Sequence, residues 1–359
     1  FLPAPACLIH KAEIPATYTL MAAGVVPYGD PMNIGMVGMH GCYTSNRAVA
    51  DCDVLIALGT RFSDRVALNP KTFARNATII QIDIDPNEIE NARSIACPVV
   101  GDIKSAMQMI NAGLEKTPVK ASAQWLDMLK ADAEKNDAKF AARVNSNTVP
   151  MGHYDALGAI KKVYDQHKDM ILTNEGANTL DDCRNIIDIY QPRHRLDCGT
   201  WGVMGCAVGY SIGAAVATGK PVLYVGGDSG FGFDGMEVEV ACRYNLPITF
   251  VVLNNGGIYR GDFENLGDDG DPSPLTLSYD AHYERMIEAF GGNGYYATTP
   301  AEVEQMVGEA VASGKPSLVH VQLADYAGKE SGHISNLNPK PVVGPPRHFR
   351  NDREPLPQG

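Results

Sequence analysis

The sequence predicts an α/β protein of two doubly wound parallel-sheet domains. Three observations carry this expectation. Short apolar runs rich in valine, isoleucine and leucine recur along the chain, as buried parallel strands require. Most of them end directly in Gly, Asp, Asn or Thr, the residue types of ligand-capable strand ends. Stretches with helical spacing separate them, which is the pattern of βαβ units with right-handed crossovers.

Residues 1–118 form the first unit. Asp53 to Leu58 (DVLIAL) reads as a strand ending in Gly59-Thr60-Arg61. Thr78 to Ile82 (TIIQI) reads as another, ending in Asp83-Ile84-Asp85-Pro86, with a helix starting over Asn87 to Ala92. Pro98-Val99-Val100 leads to Gly101-Asp102. Acidic residues just past a strand bind ribose hydroxyls or, equally well, cap the next helix, and both readings stay open for Asp83 and Asp85. Residues 119–148 are polar and alanine-rich, with Trp125, Leu126 and Leu129 at helical spacing, and read as a connecting helix. Asn145 to Pro150 marks the boundary.

The second unit spans 149–340. Ala156 to Val163 reads as a helix and Met170 to Thr173 as a strand ending in NEGANT. Glu175 either faces the strand-end edge or caps a helix. Thr200 to Gly205 opens a Gly/Ala-rich helix reaching Gly219, where small residues allow close backbone approach. Pro221 to Val225 and Ile248 to Leu253 are strands, with a helix over Met236 to Tyr244 between them. Residues 262–279 read as a surface loop. Tyr283 to Phe290 and Ala301 to Ala312 are helices, Ser317 to Leu323 is the last strand, and 341–359 is a proline-rich tail.

The βαβ unit around Gly227-Asp228-Ser229 and Asn254-Asn255 concentrates the chemistry. Its parallel strands end on one edge, which brings Asp228 beside Asn255. A carboxylate, an amide oxygen and backbone carbonyls suit a hard cation such as Mg²⁺. The glycines at 226, 227, 230, 232, 256 and 257 let backbone N–H groups approach an anion. Together they describe a diphosphate held through a metal.

This pattern, Gly-Asp followed after residues 230–253 by Asn-Asn, resembles the cofactor signature of thiamine-diphosphate enzymes. The resemblance implies Mg²⁺ ligation by Asp228, Asn255 and the Gly257 carbonyl, and cofactor contacts from Gly227, Ser229, Gly230 and Ile258. Ser229 stands where the signature usually has glycine, as in the oxalyl-CoA decarboxylase branch. NEGANTLDDCRNIID (174–188), GTWGVMG (199–205), CRYNLP (242–247), NNGGIYRG (254–261), EAFGG (288–292) and ESGHISNLNPK (330–340) also resemble that branch. The match implies that the Gly202 carbonyl and Met204 contact the aminopyrimidine. It gives Tyr259 and Ser331 places at the reacting centre.

TYTLMAAGVVPYGDPMNIGMVGMHG, LIALGTRFSDR, IIQIDIDPNEI and VVGD resemble the central domain of acetolactate synthase. This implies an adenine-nucleotide site over Arg61, Asp83 and Asp102 for FAD, ADP, part of a CoA, or nothing. No stretch resembles the family's pyrimidine-binding domain, which carries the glutamate that activates the cofactor.

Composition narrows the partners. The 359 residues carry a formal net charge of −12 without a Lys/Arg cluster, so neither nucleic acid nor an anionic membrane is expected. No run of about 18 apolar residues spans a bilayer. The eight cysteines, Cys7, Cys42, Cys52, Cys97, Cys183, Cys198, Cys206 and Cys242, include no C-x-x-C pair and read as reduced thiols of a cytoplasmic protein.

The expected activity is thiamine-diphosphate-dependent C–C cleavage of a 2-oxo- or 2-hydroxyacyl-CoA, of the oxalyl-CoA decarboxylase kind. An FAD-containing acetolactate synthase is one alternative. An inactive cofactor-binding subunit or fragment is the other. The resemblance also implies a homodimer or homotetramer, alone or with a separate pyrimidine-domain chain.

Overall fold

The computed structural model describes residues 8–325 except 68, 70, 71, 92, 93, 200 and 260–273. The first unit contains β1 (Ala16–Tyr18), β2 (Asn33–Met36), α1 (Tyr43–Asp51), β3 (Val54–Leu58), α2 (Asp64–Ala67), β4 (Thr78–Asp83), β5 (Cys97–Val100) and α3 (Ile103–Lys116). β3, β4 and β5 form a parallel sheet in that order, and β1 pairs in parallel with β2. α4 (Ala123–Val144) connects the units. The Arg47 guanidinium of α1 pairs with Asp132 of α4 at 2.8 Å.

The second unit runs α5 (His153–Tyr164), β6 (Ile171–Asn174), α6 (Asn178–Ile186), β7 (Arg195–Asp197), α7 (Cys206–Thr218), β8 (Val222–Gly227), α8 (Asp228–Asp234), α9 (Val238–Arg243), β9 (Ile248–Asn254), α10 (Glu284–Ala289), β10 (Asn293–Ala297), α11 (Pro300–Ser313) and β11 (Ser317–Gln322). Its six strands are all parallel, in the order β10-β11-β9-β8-β6-β7. β8 and β9 are buried along their whole length. Their side chains alternate between two cores, as the two-residue strand period requires. Leu223, Val225, Val251 and Leu253 enter one, and Val222, Tyr224, Phe250 and Val252 the other. The chain leaves β6 toward β7 and then crosses to β8 on the opposite side. The sheet therefore has its switch point between the ends of β6 and β8, where α/β sheets open a crevice.

The first unit packs over that edge. Ala23 joins a core of the second unit. A β-carbon on Gly24 would lie 2.1 Å from the Gln191 carbonyl oxygen, and Gly24 has φ +84°, so this contact admits only glycine.

Several expected elements differ. In place of one helix over Met236 to Tyr244, α8 starts at Asp228 itself, and a 3₁₀ turn over Gly235–Glu237 leads into α9. The glycines that suggested a loop serve close packing instead. A β-carbon on Gly230 would come within 3.2 Å of the Glu175 side chain, and one on Gly235 within 2.8 Å of the Phe231 ring. The helix expected from Asn87 is one 3₁₀ turn over Pro86–Glu88, ended by Glu90 at φ +60°. β1, β2, β7 and β10 were not expected; none carries the continuous run of valine, isoleucine and leucine that marks the expected strands.

Gly158, inside α5, tests the packing of the connecting helix. Glycine-to-alanine changes within helices ordinarily stabilise by about 0.5–1 kcal/mol. Here the added β-carbon would stand 2.5 Å from the Val144 carbonyl oxygen of α4. Gly158→Ala is expected to lower stability by about 1–3 kcal/mol in denaturant unfolding. A stabilised variant would show that α4 does not press on α5 in this way.

Candidate functional site

β8 and β9 run side by side in register to Gly227 and Leu253, so the residues that follow share one sheet edge. Asp228 is 1% exposed. Its Oδ2 accepts from the backbone N–H groups of Gly256 (2.9 Å) and Gly257 (3.0 Å), and its Oδ1 from that of Ser229 (2.7 Å). Burial pushes its carboxyl up to about 6, against the lowering effect of those amides. No lysine or arginine pairs with it among the described residues.

Asn255 is also buried. Its side-chain NH₂ and that of Asn178 both donate to the Tyr259 carbonyl, Asn178 at 2.8 Å. These bonds hold the loop whose Tyr259 has φ +56°. Residues 275–277 brace the same loop. The Ile258 N–H donates to the Leu275 carbonyl, and the Leu277 N–H donates to that of Gly256. Asn178 was not singled out from sequence. It opens α6, and its Oδ1 is buried with no hydrogen-bond partner among the described residues. The only signal for it was its place in the NEGANT strand end.

A buried carboxylate with no lysine or arginine partner among the described residues, on one sheet edge with the buried Asn255, is a donor set that fits a hard divalent cation. The site residues thus fit the group that the sequence signature implies.

Glu175 has another task. It is fully buried, and its carboxylate accepts from the Tyr224 hydroxyl (2.5 Å) and from the N–H groups of Gly205 (2.5 Å) and Ala207 (3.3 Å). Burial raises its pKa, and the bonds from Tyr224, Ala207 and Gly205 oppose the rise. It therefore caps α7 from inside the protein, and of its two sequence readings the cap applies. Asp197 holds the other end of the same turn, accepting from the Gly199 N–H at 2.8 Å. The Gly199–Gly205 turn, with Gly202 at φ +65°, is clamped at both ends.

Above this edge lies a cleft of about 630 Å³ between the two units. Arg61 lines it from the first unit, and Gly202, Met204, Ile258 and Tyr259 line it from the second. Arg65 and Arg184 also line it. Asp181 is the one acidic residue of the lining, and it pairs with His40 at 3.1 Å and with Arg184 at 2.5 Å. Positive charge therefore exceeds negative in the cleft of an acidic chain, as an anionic ligand requires.

Asp83 and Asp102 do not line this cleft. Asp102 is the N-cap of α3, accepting from the Ser105 N–H at 2.9 Å. Asp83 accepts from the Asp85 N–H at 3.0 Å, and Asp85 caps the 3₁₀ turn that follows. Ser331 lies outside the described residues.

Replacing Glu175 by alanine leaves the Gly205 N–H and the Tyr224 hydroxyl buried without their acceptor. The expected cost is roughly 2–4 kcal/mol of stability, from about 1–3 kcal/mol per orphaned donor. Urea unfolding measures it, and near wild-type stability would contradict the clamp.

Comparison with known proteins gives a consistent result. Residues 4–110 match the thiamine pyrophosphate enzyme central domain, and residues 176–321 match the thiamine pyrophosphate enzyme C-terminal TPP binding domain. Oxalyl-CoA decarboxylase of Escherichia coli K12 is 44% identical over 336 residues, covering 94% of this chain and 58% of that protein. A 2-hydroxyacyl-CoA lyase of Arabidopsis thaliana is 35% identical over 343 residues, covering 92% of this chain and 58% of the lyase. A probable acetolactate synthase large subunit of Methanocaldococcus jannaschii is 31% identical over 321 residues, covering 88% and 54% respectively. The chain thus spans little more than half the length of these curated relatives. With its central and C-terminal domains matched and the buried Asp228–Asn255 edge in place, the chain belongs to the thiamine pyrophosphate enzymes.

Proposed function

We propose that this chain serves thiamine-diphosphate-dependent C–C bond cleavage on a 2-oxo- or 2-hydroxyacyl-CoA, of the kind that oxalyl-CoA decarboxylase performs. The observation that carries the reading is the Asp228 carboxylate, buried with amide partners alone beneath an arginine-lined cleft. The 44% identity to oxalyl-CoA decarboxylase supports the substrate class.

When bound, thiamine diphosphate would supply a carbon nucleophile and an electron sink for C–C cleavage. The residues of this chain bind and orient. Asp228, the Asn255 side-chain oxygen and the Gly257 carbonyl hold Mg²⁺, and the backbone at Gly227, Ser229 and Gly230 approaches the diphosphate. The Gly202 carbonyl and Met204 place the aminopyrimidine, on a turn that Glu175 and Asp197 keep rigid. Ile258 and Tyr259 face the reacting carbonyl from the cleft wall. Ser331 is proposed, on the sequence resemblance, to close over the thioester. Arg61, Arg65 and Arg184 attract phosphate groups of a CoA or of ADP or FAD held by the first unit.

Self-association belongs to the same reading. Trp201, Tyr210, Val216, Phe233 and Met236 lie on α7 and its flanks and are exposed, Trp201 by 91%. Large exposed apolar side chains gathered in one region mark an interaction surface, here for a second copy of the chain.

Asp228→Ala removes the one anionic metal ligand. Mg²⁺-dependent thiamine diphosphate affinity is expected to fall by about tenfold or more in a calorimetric titration. Unchanged affinity would reject the site. For assembly, sedimentation is expected to show a dimer or larger species, and a catalytically active monomer would overturn that part of the reading. Mass spectrometry of co-purified small molecules is expected to find an adenine-containing ligand. If that ligand is FAD, the carboligase alternative replaces the acyl-CoA lyase.

A further inference from the structure

A second polar cluster lies outside the cleft, where α10 meets β11. Glu284 opens α10 and is 7% exposed. Its carboxylate takes one imidazole on each oxygen. His282 Nδ1 stands 2.7 Å from Oε1, and His320 Nδ1 stands 3.0 Å from Oε2. His320 is on β11 and fully buried, and burial holds its imidazole below the ordinary histidine range. His282 keeps 43% of its side chain exposed, which opens the cluster to solvent on one side. Among the described residues this is the one trio of His, Cys, Asp or Glu side chains whose ligand atoms all lie within 4.8 Å of one another.

We propose that His282, Glu284 and His320 form a site for a divalent transition-metal ion of the zinc type, separate from the Asp228 centre. Two imidazoles and a carboxylate are donors that zinc takes readily, whereas magnesium prefers oxygen alone. Zinc–ligand bonds of about 2.0–2.2 Å put neighbouring tetrahedral donors roughly 3.3–3.5 Å apart. The present N···O separations, 2.7 and 3.0 Å to the two carboxylate oxygens, need to open by about 0.3–0.8 Å, and the three donors already lie within 4.8 Å of one another. The remaining coordination falls on the exposed side, where water supplies it.

The hydrogen bonds around His320 show where its proton goes. The Asn254 amide is oriented by two contacts. Its Oδ1 accepts from the Gly256 N–H at 3.0 Å, and its Nδ2 donates to the Tyr279 carbonyl at 3.0 Å. That Nδ2 also faces His320 Nε2 at 3.2 Å, so Nε2 accepts. In the metal-free chain His320 therefore carries its proton on Nδ1 and donates it to Glu284. Binding the ion at Nδ1 moves that proton to Nε2, which requires the Asn254 Nδ2 donor at 3.2 Å to turn away; the Gln322 side chain, a hydrogen-bond partner of the ring, then accepts it. The neutral ring loses no proton overall. His282 makes the same exchange on the solvent-exposed side of the cluster. A second ring nitrogen that has its own partner is the usual companion of a metal-bound histidine.

The test uses the full chain in excess Mg²⁺, with Zn²⁺ as the calorimetric titrant and Co²⁺ as the spectroscopic probe. One Zn²⁺ per chain is expected, with visible cobalt absorption of a low-coordinate nitrogen–oxygen site. His282→Ala and Glu284→Gln are each expected to weaken zinc binding by about tenfold or more and to remove the cobalt bands. His282 is the exposed member, so its alanine variant is expected to fold, which circular dichroism checks. Both variants keep every cysteine, so residual binding by thiols does not imitate the loss. Absence of zinc binding by the wild-type chain overturns the site. So does an unchanged affinity or cobalt spectrum in folded His282→Ala.

Discussion

The Asp228 carboxylate lies under the backbone amides of Gly256 and Gly257, and the architecture around it follows from that placement. It requires β8 and β9 to be adjacent, parallel and in register to their last residues. That in turn requires both strands to be buried on both faces, because helices must cover a parallel sheet. A buried carboxylate is costly unless its charge is met, and three backbone amides meet it only in part. Burial still pushes Asp228 up to about 6. A divalent cation ligated by the same carboxylate would complete the compensation, and this is the physical reason for the proposal of a metal–diphosphate site here.

Positioning extends outward from that centre through hydrogen bonds. Asn255 and Asn178 converge on the Tyr259 carbonyl and fix the loop that forms one cleft wall. Glu175 and Asp197 fix the Gly199–Gly205 turn that forms another. The first unit supplies the third wall with Arg61 and Arg65. Arginines from both units line the cleft against the protein's net negative charge, as an anionic ligand requires.

Much of this was legible in the sequence because parallel strands advertise themselves. The runs at 221–225 and 248–253 are continuous and apolar, and their common edge follows from handedness alone. The pairing of Asp228 with the Asn255 loop was therefore readable. For Glu175 the sequence left two readings open, since the partners that decide between them, Tyr224 and Gly205, are brought to it only by folding. Asn178 was missed for the same reason. α8 was hidden because its glycines look like a loop until the close approach of Glu175 and Phe231 is seen. β7 (RLD) has a single apolar residue and takes its strand form from pairing with β6. The His282–Glu284–His320 cluster follows no motif spacing and exists only through the packing of α10 on β11. Asp83 and Asp85 admit a ribose or a capping role from residue type alone; in the fold Asp83 accepts from the Asp85 N–H, Asp85 caps the 3₁₀ turn, and Asp102 caps α3.

The most direct test of the central claim is crystallographic. Crystals of the chain grown with Mg²⁺ and thiamine diphosphate at saturating concentration should show one octahedral ion. Asp228, the Asn255 side-chain oxygen and the Gly257 carbonyl should each lie about 2.0–2.1 Å from it, with the diphosphate on its open side. An ion or cofactor bound elsewhere, or an Asp228 carboxylate still bonded only to amides under those conditions, would contradict the account.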